Sequence, residues 1–214
     1  GYGVKRNESY PAKLEAALRA NGVNARIANA GVSGDTTAGG LARLEFTLNS
    51  QPQMPDLAII SLGGNDMLRG LPPEQTRANL DAIVTELRRR KINVLLMGML
   101  APPNLGPDYR GKFDPIYPAL AEKHGASLVP FFLKAVLDKP DLVQADRVHP
   151  TARGIEEIVA ATLFAVIAFG GGFHGRTFMA MALTGKVVPY KAGFGPFPAE
   201  VYHAPFPIAY HGVS

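Results

Sequence analysis

Two polar side chains stand three residues apart in Asp146-Arg147-Val148-His149-Pro150, just before a predicted helix. This spacing lets one short loop present a carboxylate and an imidazole to the same site. Asp146 could then hold the tautomer of His149, and the imidazole would act as general base and general acid. The alternative is that the pair only caps and orients the helix that follows.

Two further stretches hold groups that can donate hydrogen bonds to a developing oxyanion. Residues 29–36 run from a strand end into a turn of small residues, where Gly34 lets a backbone N–H approach a substrate oxygen. Asn65 follows a predicted buried strand within residues 62–66, and its side-chain amide is a second donor. Taken separately, the first stretch is a turn with a helix N-cap and the second is a loop. Their order along the chain, each at the end of a strand, favours catalysis.

The composition excludes several classes of protein. With 214 residues, 47% hydrophobic and 19% charged, the chain fits one α/β domain plus a tail. The net charge of +4 is modest, and the basic run 88–91 ends a predicted helix, so nucleic acid is not an expected partner. The absence of cysteine excludes disulfides and thiolate catalysis. The longest apolar stretch, 158–173, is shorter than the ~20 residues of a membrane span, so stable membrane insertion is not expected.

Residues 1–163 alternate between helix and strand patterns, which predicts a parallel sheet flanked by helices. The apolar run Leu57–Ile60 predicts a fully buried strand. The predicted strands are 25–30, 56–62, 92–97 and 127–130, and the predicted helices are 11–21, one from Pro72-Pro73 and one from about Thr151.

The composition changes near Leu163–Phe164, where we place a domain boundary between residues 1–163 and 164–214. The second segment holds seven of the eleven phenylalanines but only four charged residues, and its periodicity fades into an irregular tail. The apolar run 164–169 predicts either a continuation of the final helix or a strand that joins the sheet.

Residues 1–163 resemble the SGNH (GDSL-type) hydrolases, in the branch of arylesterases, lysophospholipases and acyl-CoA thioesterases. The resemblance rests on three motif blocks: Val32-Ser33-Gly34-Asp35-Thr36, Leu62-Gly63-Gly64-Asn65-Asp66 and Asp146-x-x-His149-Pro150. It implies a flavodoxin-like three-layer α/β/α fold and a small acyl ester or thioester substrate that is hydrolysed through an acyl-enzyme. It also implies that no metal or organic cofactor is needed.

The same resemblance assigns roles to four residues. The N–H of Gly34 and the amide of Asn65 would form the oxyanion hole, and Asp146 and His149 would complete the catalytic triad. The stretch Met99–Lys112 would be a mobile loop beside the acyl site. A periplasmic or secreted location is compatible with the family, although no signal peptide is visible in the sequence.

The first motif block departs from the family pattern. In the family, a strand ending in Gly-Asp-Ser-Leu precedes the Gly-Tyr-Gly that stands here at residues 1–3, and its serine is the nucleophile. That first strand is missing from this chain, and Ser9, Ser33 and Ser61 stand at other family positions. We therefore expect weak or no hydrolysis by the chain as written. The alternative is a non-catalytic fusion or gene-assembly product whose role is binding or self-association.

Residues 164–214 resemble part of the pyridoxal-phosphate-dependent ω-aminotransferases, in particular the 4-aminobutyrate aminotransferases. The resemblance rests on residues 165–177, 182–186 and 193–198. In that family Phe173 would stack on the cofactor ring and Arg176 would bind a substrate carboxylate. The Schiff-base lysine region and the phosphate loop are not here, so no cofactor is expected. The phenylalanines of the tail are consistent with homo-oligomerisation.

Overall fold

A parallel sheet of three strands forms the framework of the first part of the chain in the computed structural model, which describes residues 2–167, 169–170 and 204–205. The strands are β1 (Leu57–Ile60), β2 (Asn93–Met97) and β3 (Ser127–Val129), and they lie side by side in that order. Leu57 pairs with Asn93 and Leu95 pairs with Ser127. The parallel α/β architecture expected from the sequence is confirmed.

Eight α-helices accompany these strands within the described residues. They are α1 (Tyr10–Ala20), α2 (Thr37–Ala42), α3 (Leu44–Asn49), α4 (Gly64–Leu68), α5 (Pro73–Arg89), α6 (Gly106–Phe113), α7 (Ile116–His124) and α8 (Ala152–Ile167). The predicted helices correspond to α1, α5 and α8. The chain divides into two compact units, Gly1–Leu163 and Phe164–Ser214.

The hydrophobic core of the first unit forms between the sheet and α5, α6 and α7. Helix α5 places apolar side chains at the i, i+3, i+4, i+7 spacing, so one face of it is buried: Leu80, Ile83, Val84 and Leu87. Strand β2 is the central strand, and Val94 to Met97 are all buried. Phe113 and Tyr117 pack edge to face in the same core.

The strand predicted at 25–30 is wrong, because residues 23–32 form no strand in the structure. Their backbone groups bond to side chains instead: the Ala25 carbonyl accepts from Arg19 Nε, and the Ala30 carbonyl accepts from Arg43. In the described part of the chain no strand lies beside this segment. A strand pattern without a neighbouring strand has no backbone partner, which is the physical reason for the difference.

Strand β1 is only half-buried over its whole length, whereas its apolar run predicts full burial. It lies at the edge of the sheet and pairs with β2 alone. Because no second strand covers its outer edge within residues 2–167, the apolar side chains keep part of their exposure.

Two open expectations about irregular segments are also decided by the structure. Helix α8 continues to Ile167, and Phe169–Gly170 pairs with Ala204–Pro205 in a two-stranded sheet, so the described residues of this run do not join the first sheet. The loop predicted at 99–112 is wrong over much of its length, because α6 begins at Gly106 with a proline in its first turn.

Candidate active site

The loop 143–150 brings Asp146 and His149 into direct contact. The Nδ1 atom of His149 lies 2.8 Å from Oδ2 of Asp146, and the two side chains are 41% and 37% exposed. The other oxygen, Oδ1, accepts the backbone N–H groups of Val148 and His149 at 2.9 and 3.0 Å. Both oxygens of one carboxylate therefore hold the residue whose imidazole would carry the proton.

The loop closes because Gln144 and His149 bond across it. The Gln144 N–H donates to the His149 carbonyl at 2.7 Å, and the Arg147 N–H donates to the Gln144 carbonyl at 2.9 Å. Arg147 has a φ of 57°, which turns the chain back between the two bonded residues. This turn is what converts the i, i+3 spacing into side-chain contact.

The hydrogen bonds to Asp146 also set its charge state. The backbone N–H of His149 contributes most, followed by the N–H of Val148 and the His149 imidazole, and together they lower the pKa of Asp146 to about 2. The carboxylate is therefore ionised at neutral pH and accepts a hydrogen from Nδ1, so that Nε2 faces away from Asp146.

Helix capping does not explain the Asp146–His149 pair. Helix α8 begins at Ala152, and the N–H of Gly154 in its first turn donates to the Thr151 hydroxyl at 3.2 Å. Every hydrogen bond that Asp146 makes within the described residues ends on Val148 or His149. The carboxylate therefore orients the histidine and not the helix.

Gly34 and Asn65 are brought together at the turn before α2. The Asn65 side-chain amide donates to the carbonyl of Asp35 at 2.8 Å, and Arg69 donates to the carbonyl of Gly34 at 2.7 Å. The Gly34 N–H makes no hydrogen bond to any residue that the structure describes. The Asn65 amide is thus tied to the residue that follows Gly34, so both donors belong to the same local region.

The local structure at Gly34 is the turn with a helix N-cap that the sequence alternative describes, whereas at Asn65 it differs from the loop alternative. Residues 64–68 form the helix α4 and not a loop, and Asn65 lies in its first turn. The helix that follows Gly34 is capped by Thr36, whose hydroxyl accepts the N–H of Gly39 at 3.2 Å. Asp35 pairs with Arg43 at 2.7 Å and so leaves the cap to Thr36.

The buried carboxylate of Asp66 ties these two segments to each other. It accepts the backbone N–H of Thr37 at 2.9 Å and the Thr37 hydroxyl at 2.5 Å. Both residues are almost fully buried. Asp66 belongs to one motif block and Thr37 directly follows another, but membership of a block does not indicate that the two residues bond to each other. The sequence likewise gives no sign that Arg69 bonds to the Gly34 carbonyl.

The structure brings the four residues together as two pairs. No hydrogen bond, ion pair or ring contact within residues 2–167 joins the Gly34–Asn65 pair to the Asp146–His149 pair. In the same residues, no serine or threonine hydroxyl lies within hydrogen-bond distance of Nε2 of His149. Ser9 donates to the Arg6 carbonyl and is buried, and Ser33 and Ser61 are exposed.

Neither a metal-binding cluster nor a membrane-spanning helix occurs in the described part of the chain. No three His, Asp or Glu side chains group there as a metal ion would require. None of the helices described combines the length and hydropathy needed to cross a bilayer. Phe173 and Arg176, which the aminotransferase resemblance singles out, lie outside the described residues.

The fold agrees with that of solved ester hydrolases. The structure of esterase AlinE4, an SGNH-hydrolase family esterase, superposes with a TM-score of 0.67 and 66% sequence identity, covering 78% of this chain and 88% of that one. A TesA structure superposes with a TM-score of 0.72 and 38% identity, covering 77% and 91%.

The tail is similar to a different family. Residues 142–213 match the class-III aminotransferases. The 5-aminovalerate aminotransferase DavT of Pseudomonas putida is 59% identical over 49 residues, which are 23% of this chain and 12% of that protein. The shared segment is therefore a small part of an aminotransferase, as expected from the sequence.

The first three quarters of the chain also match ester hydrolases in sequence. An arylesterase of Vibrio mimicus is 40% identical over 166 residues, which are 76% of this chain and 82% of that protein. The GDSL-like Lipase/Acylhydrolase family matches residues 1–156. Motif blocks, fold and matched length agree, and the chain belongs to the GDSL-like lipase/acylhydrolase family of SGNH hydrolases.

Proposed function

We propose that this chain is built to hydrolyse carboxylic esters or thioesters of small acyl substrates through an acyl-enzyme. The observation that carries the proposal is the contact between His149 Nδ1 and a doubly anchored Asp146 carboxylate. The membership of this chain in the GDSL-like lipase/acylhydrolase family supports ester hydrolysis as the reaction class. The names of its relatives, arylesterase and thioesterase, support esters and thioesters as substrates.

In this mechanism His149 moves the proton. Asp146 holds the hydrogen on Nδ1, so Nε2 can take the proton of a serine hydroxyl as that oxygen attacks the acyl carbon. The imidazolium that forms is stabilised by the ionised Asp146. His149 then gives the proton to the leaving alcohol or thiol, and the second half of the reaction repeats these steps with water.

The Gly34 N–H and the Asn65 amide stabilise the oxyanion. Attack on the carbonyl moves negative charge onto the carbonyl oxygen, and donors fixed before the reaction stabilise that charge without reorganising. Asn65 is held by the Asp35 carbonyl at 2.8 Å, so the amide is oriented before substrate arrives.

We propose further that residues 1–214 by themselves hydrolyse esters weakly. Among the hydroxyls the structure describes, none reaches Nε2 of His149. In the family pattern the nucleophilic serine belongs to the block that precedes Gly-Tyr-Gly. Without an activated nucleophile, only oxyanion stabilisation and binding contribute to the rate.

The test combines the full chain with a synthetic peptide whose strand ends in Gly-Asp-Ser-Leu. A fluorophosphonate probe labels an activated serine, and intact mass shows which molecule carries the adduct. We expect the adduct on the peptide, only when the chain is present, and lost in His149→Ala. His124→Ala is the matched control, because His124 also pairs with an aspartate, Asp81, but on α7 and away from the candidate site.

Three outcomes would contradict parts of the proposal. A peptide that binds without forming an adduct would contradict the proposed hydrolase function. An adduct that persists in His149→Ala would contradict the proposal that His149 activates the serine. An adduct on the chain itself, lost in His149→Ala, would show that one of its own hydroxyls is the nucleophile.

A second candidate is a non-catalytic fusion that associates with itself. The observation that favours it is the match of one chain to two unrelated families, of which the aminotransferase segment is a small part. It predicts dimers or larger species of the full chain in sedimentation experiments. A monomer at every concentration would contradict it.

A further inference from the structure

We infer that Gln144 is a positioning residue for His149, and that it acts through Tyr2. The inference rests on the proposed function, because it concerns the histidine that would move the proton. Neither residue belongs to the three motif blocks at residues 32–36, 62–66 and 146–150, and the geometry that connects them is formed entirely by residues 2–150.

The side-chain amide of Gln144 bridges two separate segments. Its nitrogen donates to the carbonyl of Tyr2 at 2.8 Å and to the carbonyl of Pro150 at 2.9 Å. An amide nitrogen carries two hydrogens, so both are used. One bond holds the start of the described chain, and the other holds the residue that follows His149.

The backbone of Gln144 holds the same loop from its other end. Its N–H donates to the His149 carbonyl at 2.7 Å, and its carbonyl accepts the Arg147 N–H at 2.9 Å. The backbone of Gln144 is therefore bonded both to the turn residue Arg147 and to His149, while its side chain reaches across to Tyr2.

Tyr2 completes the connection through its ring. The centroids of the Tyr2 and His149 rings lie 4.6 Å apart, with 36° between the ring planes. Aromatic pairs at this separation attract each other, and the face of the tyrosine ring favours a neighbouring cation. The imidazolium that forms during catalysis would thus meet Asp146 at Nδ1 and Tyr2 on its ring face.

The close approach of Gly3 shows how tightly this arrangement is packed. A Cβ atom at Gly3 would overlap the side-chain oxygen of Gln144, so no other residue type fits there while Gln144 keeps its place. The Gln144 amide is therefore seated against the Tyr2–Gly3 backbone and sets where the Tyr2 ring lies.

The consequence concerns the orientation of the imidazole. Asp146 holds one edge of the ring through Nδ1, but a single hydrogen bond tolerates tilting of the ring plane. Contact with Tyr2 removes this freedom, because the ring face must lie against the tyrosine. Loss of Gln144 would release Tyr2, and the imidazole would keep its hydrogen bond but lose its fixed plane.

The test uses NMR of the full chain and needs no turnover, so its outcome is separate from that of the proposed function. The Tyr2 ring current should displace the carbon-bound ring protons of His149 upfield, and Tyr2→Leu identifies that displacement. We expect Gln144→Glu, which keeps the shape but has no amide hydrogens, to lose most of it. Gln51→Glu is the matched control, because the Gln51 amide likewise donates to a backbone carbonyl, that of Thr47, at 3.0 Å.

A folded Gln144→Glu sample that retains the full upfield displacement would overturn the inference, as would equal losses in Gln144→Glu and Gln51→Glu. If the charged variant does not fold, Gln144→Met gives the same comparison without a donor or a charge. In the peptide-supplied reaction, Gln144→Met should lower kcat and leave KM unchanged. A purely structural role would lower the amount of folded protein but leave kcat per folded molecule unchanged.

Discussion

Thr37 gives both its backbone N–H and its hydroxyl hydrogen to the carboxylate of Asp66, and both residues are almost fully buried. Asn79 donates in turn to the Thr37 hydroxyl at 3.0 Å. Hydrogen bonds to an ionised group are stronger than those between neutral groups, and a buried carboxylate depends on them. This contact fixes the start of α2 against α4, and so fixes Gly34 near Asn65.

Replacing Asp66 with asparagine should destabilise the first unit. The amide cannot accept both Thr37 hydrogens in the same geometry, and the loss should be about 3 kcal/mol in the free energy of unfolding. Urea unfolding measures it. Asp108→Asn, at an exposed position in α6, is the control and should change stability by less than about 0.5 kcal/mol. Similar losses in the two variants would contradict the role of the buried contact.

Gly63 should tolerate alanine less well than another glycine of positive φ. Its φ is 105°, and an added Cβ would overlap the Tyr117 hydroxyl, which donates to the Leu62 carbonyl at 2.8 Å. Gly70 has a φ of 64° and nothing within 4 Å of an added Cβ, so Gly70→Ala should cost about 1–2 kcal/mol from backbone strain alone. Gly63→Ala should cost at least about 1 kcal/mol more.

The Tyr117 hydroxyl accounts for that difference if the two substitutions are coupled. Gly63→Ala should therefore cost less in a Tyr117→Phe background than in the native chain, and a double-mutant cycle of unfolding free energies measures the coupling. Additive effects would mean that the strain at Gly63 arises elsewhere.

Asp146 should remain ionised well into acid. Its folded pKa of about 2 lies below the ordinary value of 3.8, so ionisation favours the folded loop. The resulting stabilisation of the loop is complete above about pH 5 and is lost as the pH falls through 3.8 towards 2. Carboxyl-carbon NMR titration measures this pKa. In His149→Ala it should stay below 3.8, because the backbone N–H groups are the main cause; a return to 3.8 would contradict that cause.

Asn65→Ala should lower kcat by about 10²–10³ in the peptide-supplied reaction and change KM little, because the amide acts on charge that develops in the transition state. Asn93→Ala is the control. Its amide also donates to a backbone carbonyl, that of Asp56, at 3.1 Å, but it lies at the start of β2. A loss confined to KM would place Asn65 in substrate binding instead of oxyanion stabilisation.

Long helices and strands with local patterns were readable from the sequence. The apolar face of α5 follows from helical periodicity, and the buried strands β2 and β3 follow from short apolar runs; neighbouring residues determine both patterns. The i, i+3 spacing of Asp146 and His149 likewise indicated their contact, because a short loop brings such residues together. The motif blocks indicated the family because each block is a short stretch that can be recognised from local sequence alone.

Tertiary structure decided whatever depends on a partner distant in sequence. Residues 25–30 have a strand pattern but no strand, because a strand needs a neighbour to bond to and none lies beside them in the described part of the chain. The buried Asp66–Thr37 contact and the bridge from Gln144 to Tyr2 join residues 29 and 142 positions apart. Such contacts form only when folding brings the segments together, so local spacing carries no signal for them.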